Sequence, residues 1–380
     1  MSLRELGWVV FLAGLPFAHL LNRSLDIWHG HDLWVKGWVV ILFASALGAQ
    51  QTVRNWKANR PLACFVIWVG ISTLYVWTVV MTKQKIYPIN MLPSVFHLLI
   101  ILLFYVSALM TWTTQSLSRL LRIMAWVGVV ILLYCGLQLL SMDQFFHDLD
   151  TGISKDQLVG TIGNPTHLAI HLALLLNLFL LQPGWFWRGC ALVSLVLILV
   201  TKSLGGQLAA FAVICWWVWH RRRTCFLPLV IGCGVVGGLY GLSHPSMFNP
   251  NGRWAAWAEF FEVFMEKPIT GAGLGFVMEL SRHVEEGSIF QWRHVHNEYF
   301  QVALECGVIG LGLLLWMLWE TGKAVWTAQK TPLVITLTGL LLAFGVNSLV
   351  NFPAHLWLLG SYALVAYCGL RVIEAESCPS

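Results

Sequence analysis

Apolar residues in this chain gather in runs of about twenty with almost no interior charge, including 61–81, 91–112 and 120–141. As a helix, each run is long enough to cross roughly 30 Å of hydrocarbon. Only helices and closed barrels satisfy their backbone groups in lipid, and these runs lack the two-residue alternation of a barrel strand. The pattern therefore predicts an all-α, polytopic integral membrane protein, a single transmembrane domain over residues 1–380. About twelve spanning helices are expected, near 6–22, 34–48, 61–81, 91–112, 120–141, 167–182, 186–201, 204–219, 226–242, 298–320, 332–350 and 354–371. The short turn around Lys202 and Ser203 separates the seventh and eighth. One longer polar segment, 243–297, falls between the ninth and tenth. Within it, Trp257, Phe260, Phe261 and Phe264 recur at helical spacing with Glu259, Glu262 and Glu266 between them, and Pro268 follows. This predicts an amphipathic helix over 254–266 suited to a membrane surface.

Composition agrees: 58% of residues are hydrophobic and 11% charged, unlike an ordinary soluble domain. Lys and Arg in the short loops fix the orientation. With a cytoplasmic N-terminus, that side receives Arg54, Lys57, Arg60, Arg119, Arg122, Arg188, Arg221, Arg222, Arg223, Lys323, Lys330 and Arg371. The acidic stretch Asp143, Asp148, Asp150 and Asp156 falls on the other side, and so does segment 243–297. The first span has no small-residue cleavage site after it and is expected to be retained. The net charge of +5 is modest and sits mainly in cytoplasmic loops, where anionic head groups account for it, so nucleic acid is not implied. Most of the nine cysteines fall inside spans and read as small packing residues.

Candidate chemistry concentrates in 243–297 and the helix ends facing it. The run Gly271-Ala272-Gly273-Leu274-Gly275 lacks the preceding strand of a dinucleotide-binding loop and reads as tight backbone passage. Arg293-His294-Val295-His296-Asn297-Glu298-Tyr299 leads directly into an apolar span. A histidine at that interface takes a proton at neutral pH. The pairs His29/His31, His167/His171 and His294/His296 lack a third ligand at metal spacing, so no metal is expected. Arg253, Arg282 and Arg293, with Lys202 on a nearby turn, are the external cations, and arginine's planar fork suits phosphate oxygens.

These residues carry a resemblance. His296-Asn297-Glu298-Tyr299-Phe300-Gln301, followed by Glu305-Cys306-Gly307-Val308-Ile309-Gly310, resembles the signature of the bacterial O-antigen ligase and O-antigen polymerase family. Gly252-Arg253 with Trp257, Pro268 and Gly271 to Phe276 is similar to the segment before it. Gly163-Asn164-Pro165-Thr166-His167 looks like the family's Gly-Asn-Pro helix start, where Asn164 caps and Pro165 suits the first helical position. Asn347-Ser348-Leu349-Val350-Asn351-Phe352-Pro353 resembles its late helix break. The likeness covers roughly 160–355. One departure stands out: many members carry Ser-Arg-Gly at an external helix start, whereas this chain reads Lys202-Ser203-Leu204-Gly205-Gly206, with Leu204 in the arginine's place.

The resemblance implies glycosyl transfer at the periplasmic face of the bacterial inner membrane, without metal or cofactor. The donor would be a glycan on undecaprenyl diphosphate. The acceptor would be lipid A core in a ligase, another lipid-linked glycan in an O-antigen or exopolysaccharide polymerase, or a protein hydroxyl in an O-oligosaccharyltransferase. His296 would serve as base and Arg253 would stabilise the departing diphosphate, with Arg293, Lys202, Asn297, Glu298 and Asn164 binding substrate. A transporter is the competing class. It would place ionisable groups deep in the bundle, where this sequence offers only His97, His171 and Glu305.

Overall fold

The computed structural model describes residues 2–21, 27–47, 60–76, 92–142, 157–243, 252–281 and 292–377. Arg54, Lys57, Arg282 and the aspartates of 143–156 lie outside them. The described chain is helical, with no strand among the described residues. A helix occupies each of the twelve apolar segments. In chain order these are α1 (Leu3–Gly14), α2 (Ile27–Leu47), α3 (Arg60–Tyr75), α4 (Leu92–Thr111), α5 (Thr114–Leu139), α6 (Pro165–Leu181), α7 (Trp185–Val200), α8 (Leu204–Arg221) and α9 (Arg223–Ser243). The polar segment contributes α10 (Arg253–Glu266) and the short α11 (Phe276–Leu280), and α12 (Glu298–Thr327), α13 (Pro332–Asn347) and α14 (Trp357–Ser377) complete the chain. Four of them, α4, α5, α12 and α14, are long and apolar enough to cross a membrane. Along α5, Trp126, Val130, Leu133 and Leu137 form one exposed apolar stripe, a face made for lipid.

Local signals set the helix starts. Asn164 Oδ1 accepts the Thr166 and His167 N–H groups, and Pro165 takes the first position of α6. Ser203, Asn297 and Thr331 cap α8, α12 and α13 in the same way. Each such cap is worth about 1 kcal/mol. The turn at Lys202 has φ of +56°, so α7 and α8 are two helices rather than one kinked rod.

The bundle is organised round α6, which is buried at every position from His167 to Phe179 and packs on α7, α8 and α13. Small residues permit this contact: a Cβ on Gly206 would collide with Ala169, and one on Gly128 would come within 2.8 Å of Leu175 and Phe179 side chains. Asn177 donates to Thr336 O at 2.7 Å, joining α6 to α13.

The tenth apolar segment is not one straight helix. α12 breaks at Gly307, whose φ of +70° and ψ of −179° only glycine adopts readily. A Cβ there would collide with Ile269 O. The break leaves the Leu304 and Glu305 carbonyls without helical donors. Ala272 and Gly273 supply them at 2.9 and 2.8 Å, and Val308 N donates to Pro268 O at 2.8 Å. Glycines 271, 273 and 275 all have positive φ. The glycine run is thus the seam that seats the polar segment on the kinked helix, and Glu305 Oε1 accepts the Val277 N–H as part of it.

The amphipathic helix α10 has two apolar faces. Ala256 and Phe260 are buried with Ala272, Val277, Val295 and Leu304 in a small satellite core, while Trp254, Phe261 and Met265 stay exposed. Its best-packed face therefore meets protein, and only the second face is free for a membrane surface.

Candidate functional site

The histidine motif is pinned from several sides. Trp257 Nε1 of α10 donates to Val295 O at 2.8 Å, and Val295 N donates to Gln301 Oε1 of α12 at 3.2 Å. Between Val295 and the Asn297 cap, His296 adopts φ of +57°, a left-handed backbone that costs an L-residue about 1–2 kcal/mol. The clamps on either side hold it there. Glu298 locks the start of α12 onto the break after α13: its N–H donates to Ser348 O at 2.9 Å and its Oε1 accepts Ala354 N–H at 2.6 Å.

That break, 348–356, forms the other wall. Phe352 is its centre. His294 stacks on the Phe352 ring at 4.4 Å between centroids, while His296 at 4.7 Å and His167 at 5.6 Å meet it edge-on. Trp292 closes on His296 edge-on at 4.9 Å. His296 is partly accessible, and its Nδ1 is buried with no hydrogen-bond partner.

Arg253 opens α10 immediately after Gly252, whose left-handed φ of +71° turns the chain into the helix. Its Nη1 donates to Val350 O at 2.5 Å, while Nε is buried without a partner. Val350 also faces the start of α8: a Cβ on Gly205 would lie 3.2 Å from Val350 Cγ2 and 2.8 Å from Asn347 Nδ2. Asn347 is fully buried, and both its side-chain polar atoms lack partners. The 347–352 turn therefore gathers Arg253, His296 and the α8 N-terminus in one place.

The other expected site residues are distributed as follows. Asn164 and Asn297 spend their side-chain oxygens on helix caps, and Glu298 is buried in the lock just described. Lys202 stands exposed on the turn before α8, and Arg293 is exposed beside His294. Phe352, Gln301, Asn347 and His355 were not singled out from sequence as site residues. Only the proline-containing break at 347–353 signalled that this stretch does more than connect two spans.

Burial, and then the nearby Arg253 charge, lowers the His296 pKa to about 4, so its ring is neutral at physiological pH. Burial, with His355, His296, His167 and Arg293 around it, holds His294 well below the ordinary histidine range. Burial also lowers the Arg253 pKa. The arrangement offers a neutral proton acceptor next to a cation with spare donors. Among the described residues no group of three His, Cys, Asp or Glu side chains has metal-binding geometry.

The ionisable groups deep in the bundle have structural partners. His171 Nε2 meets Tyr362 Oη at 3.0 Å, His97 stacks on Trp357 at 3.8 Å, and Glu305 serves the glycine seam.

Residues 189–315, which contain Arg253, the glycine seam and the His296 motif, match the family model described as O-antigen ligase. The resemblance to the O-antigen ligase family is upheld. No curated protein matches the chain. The family match runs from within α7 through α8, α9, α10 and α11 into the first half of α12, while the wall formed by 347–355 and the Asn164 cap lies beyond it. The matched stretch thus holds His296 and Arg253, and helices flanking it supply the surface that closes on them.

Proposed function

We propose that this protein moves a glycan from undecaprenyl diphosphate to an acceptor hydroxyl at the periplasmic face of the bacterial inner membrane, with lipid A core as acceptor. The observation that carries this reading is the neutral His296 beside Arg253, both anchored on the 347–352 turn. Family membership points to glycosyl transfer in general. The helix directions support the orientation: Arg119, Arg188, Arg221, Lys323 and Arg371 lie at the helix ends away from His296. This distribution supports a site on the side opposite the basic ends, which the positive-inside rule assigns to the cytoplasm.

In the reaction the acceptor O–H gives its proton to His296 as the oxygen forms a bond to the anomeric carbon. The bond from that carbon to the diphosphate oxygen breaks, and the departing oxygen keeps the electron pair. Arg253 meets the charge that grows there, an interaction stronger in the transition state than before it. A single displacement inverts the anomeric centre. The bound diphosphate also offsets the Arg253 charge that depresses His296, so the base strengthens when the donor is in place.

The test is transfer by purified protein in liposomes carrying undecaprenyl-diphosphate-linked glycan. Product on lipid A core, formed equally in excess chelator, is expected. Product only on a second lipid-linked glycan, or only on a protein hydroxyl, would reassign the acceptor. No transfer to any of the three would overturn the reading. For orientation, a reporter fused after Ser288 should be active only as a periplasmic fusion.

A further inference from the structure

The hydrogen-bond roles around Gln301 leave one consistent assignment. Gln301 Oε1 accepts the Val295 N–H at 3.2 Å, and its Nε2 donates to Glu305 Oε1 at 3.4 Å. Both contacts require the amide nitrogen on the same side, and there Nε2 also faces His355 Nε2 at 3.1 Å. An amide NH2 only donates, so His355 Nε2 must accept and carry no proton. The proton of the neutral ring then sits on Nδ1, which points at Glu298, 3.2 Å from Oε2 and 3.3 Å from Oε1. A carboxylate that fixes the tautomer of a histidine, and so the role of its other nitrogen, is a general device.

We propose that His355 is a positioning residue: held as its Nδ1–H tautomer by Glu298, it keeps Gln301 turned so that the Gln301 carbonyl pins Val295, and with it the strained backbone that presents His296. The inference rests on the proposed function only for the meaning of His296. The chain itself, Glu298 to His355 to Gln301 to Val295, stands on geometry. Removing it leaves His296 with the Trp257 contact at Val295 O and the Asn297 cap, but without the clamp on the Val295 N–H.

A second consequence concerns pH. The groups facing His355 are Glu298 and Glu305 from α12, His294 from the loop and His97 from α4. Both carboxylates face the ring and would pair with its charged form. Once charged, Nε2–H no longer accepts from Gln301. The amide must turn over, which sets its NH2 against the Val295 N–H. The Glu298 pair persists in either state, so acidification releases the loop while leaving that pair intact.

The test follows amide exchange of the peptide containing Val295 in the full-length, detergent-purified protein, corrected for the chemical rate at each pH. Glutamine at 355 reproduces the pattern without titrating, donating to Glu298 and accepting from Gln301. In the wild type, Val295 should be protected at pH 8.5 and exchange about tenfold faster relative to the chemical rate at pH 6, the scale of one lost hydrogen bond. His355→Gln should stay protected at both values, and His355→Ala should be fast at both. Alongside, the acid limb of transfer should lie above pH 6.5 in the wild type and move down towards the His296 value of about 4 in His355→Gln. Equal, pH-independent protection in wild type and His355→Ala would overturn the proposal. The expected exchange pattern in a protein that transfers no glycan would uphold the relay and refute the transferase reading instead.

Discussion

The two ends of the bundle use their charged and polar groups differently. At the end holding the far termini of α12 and α14, the charged side chains have ionic or hydroxyl partners, although Arg371 Nε is also buried without one. Arg371 donates to Glu374 at 2.7 Å and to Thr321 at 2.9 Å, Lys323 meets Glu320 at 2.7 Å, and Arg119 meets Glu5 at 3.5 Å. Glu376 accepts from Thr114 across to α5. At the other end, the Arg253 Nε, the His294 and His296 Nδ1 atoms and both Asn347 polar atoms are buried without partners. Unmade hydrogen bonds of this kind cost about 1–3 kcal/mol each, so a site that keeps several is holding them for something else. The contrast teaches that charge density alone does not locate chemistry in this molecule; unsatisfied polarity next to a strained backbone does.

The glycine seam supports the end that holds Arg253 and His296. Gly307→Ala should have the largest effect, because a Cβ collides with Ile269 O and the left-handed, extended backbone there excludes other residues. We expect loss of transfer together with loss of protection at Ala272 and Gly273 amides. Normal activity in this variant would mean the break in α12 is not needed to seat the polar segment.

Arg253→Ala should come next, lowering kcat by about tenfold to a hundredfold with a smaller change in KM, since the lost charge-assisted contact strengthens as the diphosphate departs. Arg253→Lys should recover part of the loss, because an ammonium lacks the fork that reaches both Val350 O and a phosphate oxygen. At the paired end the expectation reverses. Arg371→Met should lower Tm by several degrees, since it strips Glu374 and Thr321 of their donor, yet leave turnover per folded molecule unchanged. Lys202→Ala should have the smallest effect, a few-fold at most in kcat, because this exposed ammonium stands in the turn before Leu204 without a fixed fork. A severe loss there, with Arg293→Ala silent, would make Lys202 the second phosphate cation.

Much of the fold was legible in the sequence because lipid imposes length. Each apolar run that was long enough to span holds a helix, and the cap at Asn164 was visible as an asparagine before a proline at a helix start. The break inside α12 was not, because Gly307 in an apolar run has the same local signature as any packing glycine. Its left-handed geometry depends on Ile269 and the glycine seam, more than thirty residues earlier in the chain. Of the candidate site, His296 and Arg253 stood out in the sequence through the motifs that hold them. Gln301 and Phe352 lay inside motifs of the resemblance without a role, and His355 lay outside them, since their roles arise only when the start of α12 and the end of α13 are brought together. The apolar spacing of α10 marks a buried face without saying whether lipid or protein buries it, and in the fold protein buries the Ala256–Phe260 face.

The central claim is that the unpaired end does chemistry and that His296 is its base. The most direct test is turnover per folded molecule of His296→Ala, in liposomes with undecaprenyl-diphosphate-linked glycan and lipid A core. A fall of about a hundredfold to ten-thousandfold is expected, the usual contribution of a positioned base, with Tm close to that of the wild type. Turnover within a few-fold of the wild type would contradict it.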